Sequence, residues 1–259
     1  MAQTSVSLDM TAGFEGQVVD SGLTEIISRV VSTKQLDIVS VSGDESDGAY
    51  SILIDGVSVA DFTASSSTAA QIVAGLIADF SSTVATIEAS GTEDMLIESI
   101  DSETSYTVTV SSPSSDLTTS NLQAAGQELP YGRGVVADPR AAVSGEQCRL
   151  PRLTGEVTAG TFLGITKCDT MREANSGNGY TNQAAVSILR KGRIRVQVED
   201  AVVEGGQVFC RFTDPTTAYG LGSFRSDADT SDAVAVPGAM FLTAASADGL
   251  AVVELNPTR

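Results

Sequence analysis

The chain has 259 residues, 33 acidic and 15 basic, for a formal net charge of −18, and it contains no His and no Trp. Apolar residues at 42% and charged ones at 19% describe a chain able to bury a core, unlike the apolar-poor mixture of disorder. The acidic balance argues against a nucleic-acid partner, and the absence of His excludes every Ser–His or Cys–His nucleophile and every His-bearing metal site.

The opening Met1-Ala2-Gln3-Thr4 lacks the basic and apolar stretches of an export signal, and no run of about 18 apolar residues occurs. The expectation is a soluble protein, at first cytoplasmic, with no membrane partner. Charge then divides the chain. From Gln35 to Gly132 there is no Lys or Arg but there are 15 acidic residues, which leaves 18 acidic against 15 basic elsewhere. So sharp a step predicts a separate module.

Within that segment Leu36–Val41 reads as a short strand. Tyr50, Ile52 and Ile54 alternate with polar or outward residues, and Asp55-Gly56 is a two-residue hairpin turn into Val57 and Val59. Thr68 with Gln71 forms a capping box that opens a helix, with Ala69, Val73, Leu76 and Phe80 on one stripe to about Ser81. Strands follow at Val84–Ala89 and Met95–Ile100, then one with Tyr106, Val108 and Val110 inward and Thr107 and Thr109 outward. The pattern predicts a small α+β domain, one helix on a β-sheet, with Pro113–Asn121 as a Ser/Thr-rich exit linker.

From about Leu129 the strands are short and frequent. Val186–Arg190 reaches Lys191-Gly192, read as a hairpin, after which Ile194, Val196 and Val198 alternate with polar residues; Val208, Cys210 and Phe212, and Leu250–Leu255, follow. The absence of helical periodicity predicts a β-barrel or sandwich. Cys148, Cys168 and Cys210 are odd in number and form no C-x-x-C pair, so they read as small buried hydrophobes.

Little here could carry chemistry. The acidic loops Gly43–Gly48 and Asp227–Asp232 lack calcium-loop spacing and read as solvated turns, and Tyr219–Gly222 lacks the setting of a phosphate loop. Arg190, Lys191, Arg193 and Arg195 put four cations in six residues. They could meet an acidic protein surface or an anionic ligand; the plainer alternative is a solvated strand face whose charges discourage edge pairing.

Several strings, in this order, resemble the structural cement (capsid decoration) proteins of tailed bacteriophages: Leu129–Val136, Phe162–Ile165, Gly179-Tyr180, Ala185–Ile194, Val208–Phe212, Leu221–Arg225, Val236–Ala239 and Ala251–Leu255, with Gly13–Gly22 similar to the family's opening arm. The resemblance implies a mainly β protein: a cement domain from an N-terminal arm, residues 1–34, and a β-barrel or sandwich, residues 124–259. Residues 35–123 would be an inserted Ig-like or adhesin-like α+β domain. It implies a non-enzymatic virion protein without cofactor or metal, on the outer capsid surface, that stabilises the shell by binding between major capsid subunits. The expected partners are the major capsid protein, a homotrimer of the chain itself, and host-surface glycans for the outward insert. Phe14, Arg29, Arg190, Lys191, Arg193 and Arg195 are the expected shell or subunit contacts. The alternative is a tail, baseplate or adhesin-type host-binding protein.

Overall fold

A computed structural model describes residues 15–19, 24–42, 46–101, 103–138, 146–158, 161–168, 179–213 and 220–256. Two compact units result: Met1–Val31 with Leu129–Tyr180 and Ala184–Arg259, and Ser32–Glu128 with Thr181–Gln183. The protein is mainly β, as the alternating patterns predict.

Strand β1 (Glu25–Val31) belongs to the first unit, and the chain then builds the second: β2 (Leu36–Val41), β3 (Gly48–Ile54), β4 (Val57–Ala64), α1 (Ala69–Asp79), β5 (Ala85–Ala89), β6 (Asp94–Ser99), β7 (Val108–Ser111) and β8 (Leu117–Gln123). The β3–β4 turn has positive φ at both Asp55 (51°) and Gly56 (79°), the primed geometry whose twist suits a hairpin. At the start of α1 the Thr68 hydroxyl accepts the Gln71 N–H, and the Gln71 carboxamide oxygen accepts the Thr68 N–H at 2.9 Å. Two of the helix's orphan donors are satisfied this way. The helix buries Ala69, Ile72, Val73 and Leu76 in one core with Val39, Tyr50, Ile52, Met95 and Ile97. That core is shared by two sheets, ordered β5-β6-β2-β8 and β4-β3-β7, where one sheet is expected from sequence.

Polar pins hold the second unit's edges. The Tyr50 hydroxyl donates to Asp116 at 2.7 Å, and the Ser46 N–H donates to the same carboxylate oxygen; these bonds hold the Asp116 pKa below its ordinary value. Gln35 donates to Asp37 at 2.7 Å and to the Tyr106 carbonyl, while Asn121 donates to the other Asp37 oxygen. Burial pushes the Asp37 pKa up against those two side-chain bonds.

The predicted exit linker is a correction. Pro113–Ser115 forms a 3-10 turn, and β8 then pairs antiparallel with β2 from Leu117 to Gln123. It is an edge strand that exposes Thr118, Thr119, Ser120 and Asn121 and buries Leu117 and Gln123. Its ladder bonds give it order that its polar composition does not advertise.

The first unit continues with β9 (Leu129–Pro130), β10 (Gly134–Ala137), β11 (Gln147–Arg149), α2 (Thr154–Thr158), β12 (Phe162–Thr166), β13 (Gly179–Tyr180), β14 (Ala185–Gln197), β15 (Gln207–Arg211), β16 (Phe224–Arg225), β17 (Ala233–Phe241) and β18 (Leu250–Leu255). Its main sheet runs β1-β11-β10-β12-β14-β18-β17-β15-β16. Since β1 also pairs with β14, the first five strands close on themselves. A bridge from Val198 to Phe224 brings the far end of the sheet back beside β14, closing a second ring. Val31, Val135, Cys148, Val186 and Ile188 fill one core, and Ile194, Val196, Val208, Phe224, Phe241 and Val253 fill the other.

Strand β14 serves both rings. It pairs with β1 and β12 through its first half and with β18 from Gly192 onward. The predicted hairpin at Lys191-Gly192 is therefore a continuous 13-residue strand. Gly192, at φ 128°, changes the strand's course without reversing it, and a Cβ there would lie 2.9 Å from Thr24 Cγ2.

Candidate functional site

The cations of β14 alternate in exposure: Arg190 and Arg193 are exposed, and Lys191 and Arg195 half-buried. Three of the four have partners within the unit. Arg190 Nη1 lies 3.5 Å from Glu25 Oε1, Arg193 Nε lies 3.2 Å from Glu254 Oε1, and Arg195 Nη1 donates to Gln17 Oε1 at 2.6 Å. Lys191 stands opposite Glu25 in register. The exposed pairs contribute little stability in water, so Arg190 and Arg193 can exchange partners at low cost.

The arm lies along the same strand. The Gly16 N–H donates to the Arg195 carbonyl at 2.8 Å, the Arg195 N–H to the Gln17 carbonyl at 2.9 Å, and the Val19 N–H to the Arg193 carbonyl at 3.0 Å. The Cys168 N–H donates to the Gly16 carbonyl. Gly16 adopts φ 74°, and a Cβ on it would stand 2.7 Å from the Cys168 nitrogen, so no larger residue fits. The Glu15 side chain covers Gly132, where a Cβ would meet its Cγ at 2.1 Å.

Glu15 is half-buried beside Arg133, whose Nε is 3.9 Å from its Oε1. Burial raises the Glu15 pKa; the Arg133 charge and the Gln197 backbone oppose that rise. The docked arm thus favours the protonated carboxyl. Its contribution is fully present below the ordinary carboxylate pKa and is lost as pH rises through the raised one. Amide protection at Gly16 and Val19 is expected to be greater at pH 4 than at pH 7 (about the ordinary Glu range and well above it), and Glu15→Gln is expected to flatten that difference. Hydrogen exchange followed at both pH values reads both effects.

Arg29, half-buried on β1, donates from Nη1 to the Ser28 carbonyl at 2.8 Å. Phe14, the remaining expected contact, lies outside the described residues, as do Gly43–Glu45 and Tyr219 of the weaker motifs.

Sequence reasoning missed a buried ion network. Arg211, 1% exposed at its side chain, donates from Nε and Nη2 to the two Glu199 oxygens, both at 2.8 Å, and pairs with Asp229. Arg225 reaches Glu199 at 3.1 Å, Asp227 at 2.8 Å and also Asp229. The Asp227–Asp232 loop, expected as a solvated turn, is thus tied to two arginines. The Asp229 N–H, and Arg225 after it, hold the Asp227 pKa low. The one local sign of Arg211's burial is its place next to Cys210 in an apolar strand. Burial pushes the Cys148 thiol up to about 12 and Cys210 up as well, so both remain unreactive thiols.

No group of three or more Cys, Asp or Glu side chains converges to hold a metal among the described residues, and none of their helices is long and apolar enough to cross a membrane. What the surface offers is a rigid cationic strand with an arm laid along it, a geometry for contact.

No curated protein matches the chain. Among solved structures, the capsid of Myoviridae phage XM1 is 20% identical, with a TM-score of 0.37, over 50% of this chain and 76% of that one. A structure of Mycobacterium phage Patience is 12% identical, with a TM-score of 0.31, over 65% of this chain and 61% of that one. The family described as structural cement protein (E217 gp24/Pam3 gp6) matches residues 103–256, from before β7 through β18. With more than half its length so matched, the chain belongs to the phage structural cement protein family.

Proposed function

We propose that this protein decorates the outside of a phage capsid, without catalysis, and stabilises the shell by binding between major capsid subunits as a homotrimer. Family membership gives the virion structural role. The observation that carries the finer reading is the arm fixed along the cationic half of β14, which presents Arg190, Lys191 and Arg193 from a rigid strand. Arg29, and Phe14 outside the described residues, are the further contacts of this reading. Stabilisation follows from mass action: a ligand of the assembled shell alone shifts the equilibrium away from disassembly.

The second unit is an insertion in the cement domain and projects outward. It carries the 15 carboxylates of the Lys- and Arg-free stretch, and like-charged outer surfaces keep particles apart.

Charge reversal tests the contact. Arg193→Glu together with Arg195→Glu is expected to lower occupancy on purified shells by about tenfold or more, with wild-type occupancy falling as salt rises. Unchanged occupancy in the variant, read by quantitative gel after co-sedimentation, would remove the cationic strand from the interface.

A further inference from the structure

Strand β8 pairs with β2 along one side and has an open edge on the other. The Ser42 N–H donates to the Asp116 carbonyl, whereas the Leu117 N–H turns the other way, to the Ser112 hydroxyl at 2.8 Å. Alternation from there aims the backbone groups of Thr118 and Ser120 at β2 and those of Thr119 and Asn121 outward. No described residue bonds the backbone N–H or C=O of Thr119 or Asn121. Residues 43–45 lie between Ser42 and Ser46, and both of those donate to Asp116, so that stretch belongs to the Leu117 end.

The edge lacks the usual protection against pairing. From Leu117 to Gln127 there is no charged residue and no Pro, although the unit holds 15 carboxylates. The irregularity in the β2 pairing comes only after Asn121. Thr118, Thr119, Ser120 and Asn121 are all exposed, so both faces of the strand are open as well. The carboxylates that adjoin it, Asp37 opposite Asn121 and Asp116 before Leu117, are 5% and 4% exposed and bonded within the unit. A cationic segment would find no charge to meet there. An uncharged strand fits, and in so acidic a unit an uncharged edge is where a like-charged copy can approach.

We propose that β8 pairs antiparallel with β8 of a second copy, centred on Ser120. That register sets Thr119 opposite Asn121 of the second copy, and each such pair exchanges both outward backbone hydrogen bonds. Ser120 meets Ser120 across the axis, at the spacing where facing side chains stand closest. The contact is isologous, closes at two copies, and joins two four-stranded sheets into one. It uses the second unit alone, so it stands or falls apart from the first unit's contact with the shell.

Sedimentation velocity on the full chain at low salt and at about 0.5 M salt tests this. Screening the carboxylates is expected to strengthen the pairing. Thr119→Pro removes an outward N–H and spares the ladder to β2; Thr119→Asp adds like charge on both sides of the axis. Each is expected to weaken the salt-promoted association by about tenfold or more. A second readout fixes the register. Ser120→Cys should give a disulfide-linked dimer on a non-reducing gel, above the wild-type background from Cys168. Thr118→Cys, about 13 Å from its counterpart in that register, should not. Wild-type chain that shows no salt-promoted association at high micromolar concentration overturns the proposal. So do Thr119 variants that associate like wild type, or a Thr118→Cys chain that cross-links as readily as Ser120→Cys. Association that falls as salt rises would assign self-contact to the cationic strand and overturn it too.

Discussion

Arg211→Ala is expected to destabilise the first unit by about 3–5 kcal/mol, because it strips the counter-charge from a buried carboxylate. The Glu199 side chain is 3% exposed and receives two hydrogen bonds from Arg211; Arg225 supplies one more. Once the guanidinium is gone, one cation remains for Glu199 and Asp229 together. The control is the pair replaced at once, Arg211→Met with Glu199→Leu, which should recover most of the loss since no unpaired charge is left inside. Urea unfolding of wild type, single and double variants gives the comparison. A single variant within about 1 kcal/mol of wild type, the range of an exposed pair, would mean that the network is a surface feature.

Leu76→Ala is expected to cost the second unit about 2–5 kcal/mol, through lost transfer energy and the cavity left behind. Leu76 is fully buried against both sheets of that unit. If Ser32–Glu128 is an inserted domain with its own core, the variant lowers one unfolding transition and leaves the one belonging to β9–β18 in place. A single transition moving as a whole in differential scanning calorimetry would contradict separate folding of the two units. The neighbouring Gly75 gives a sharper local test. Gly75→Ala gains about 1 kcal/mol in helix propensity, but its Cβ would stand 2.1 Å from the Phe62 ring, and overpacking costs about 1–3 kcal/mol. The expected result is net destabilisation, with Phe62→Leu on the same background recovering part of it.

Local chemistry made much of the second unit legible in the sequence. The Asp55-Gly56 turn and the Thr68/Gln71 box are written in neighbouring residues, and both formed as read. Ile72 joins Ala69, Val73 and Leu76 at the ordinary i, i+3, i+4, i+7 spacing, and the expected stripe omits it although it is fully buried. β8 escaped because an edge strand with one face in solvent has linker composition. β14 was divided at Lys191-Gly192 because a glycine with positive φ signals a turn more often than a bend between two rings. The rings rest on pairings such as β1 with β14, more than 150 residues apart in sequence, which no local pattern encodes.

The site was legible in part. The exposed cations of β14 follow from alternation, and the arm's place beside them does not: it depends on close approaches at Gly16 and Gly132 that only the folded chain displays. The ion network was hidden for a related reason. Arg211, Glu199, Arg225 and Asp229 come from different elements, and the acidic loop looked solvated because Arg211, the buried one of its two cations, is not its sequence neighbour.

The most direct test of the cement assignment is the copy number of this protein in purified virions, measured by mass spectrometry against the major capsid protein. A lattice decoration predicts a ratio near one copy per shell subunit. A handful of copies per particle, or none, would contradict it.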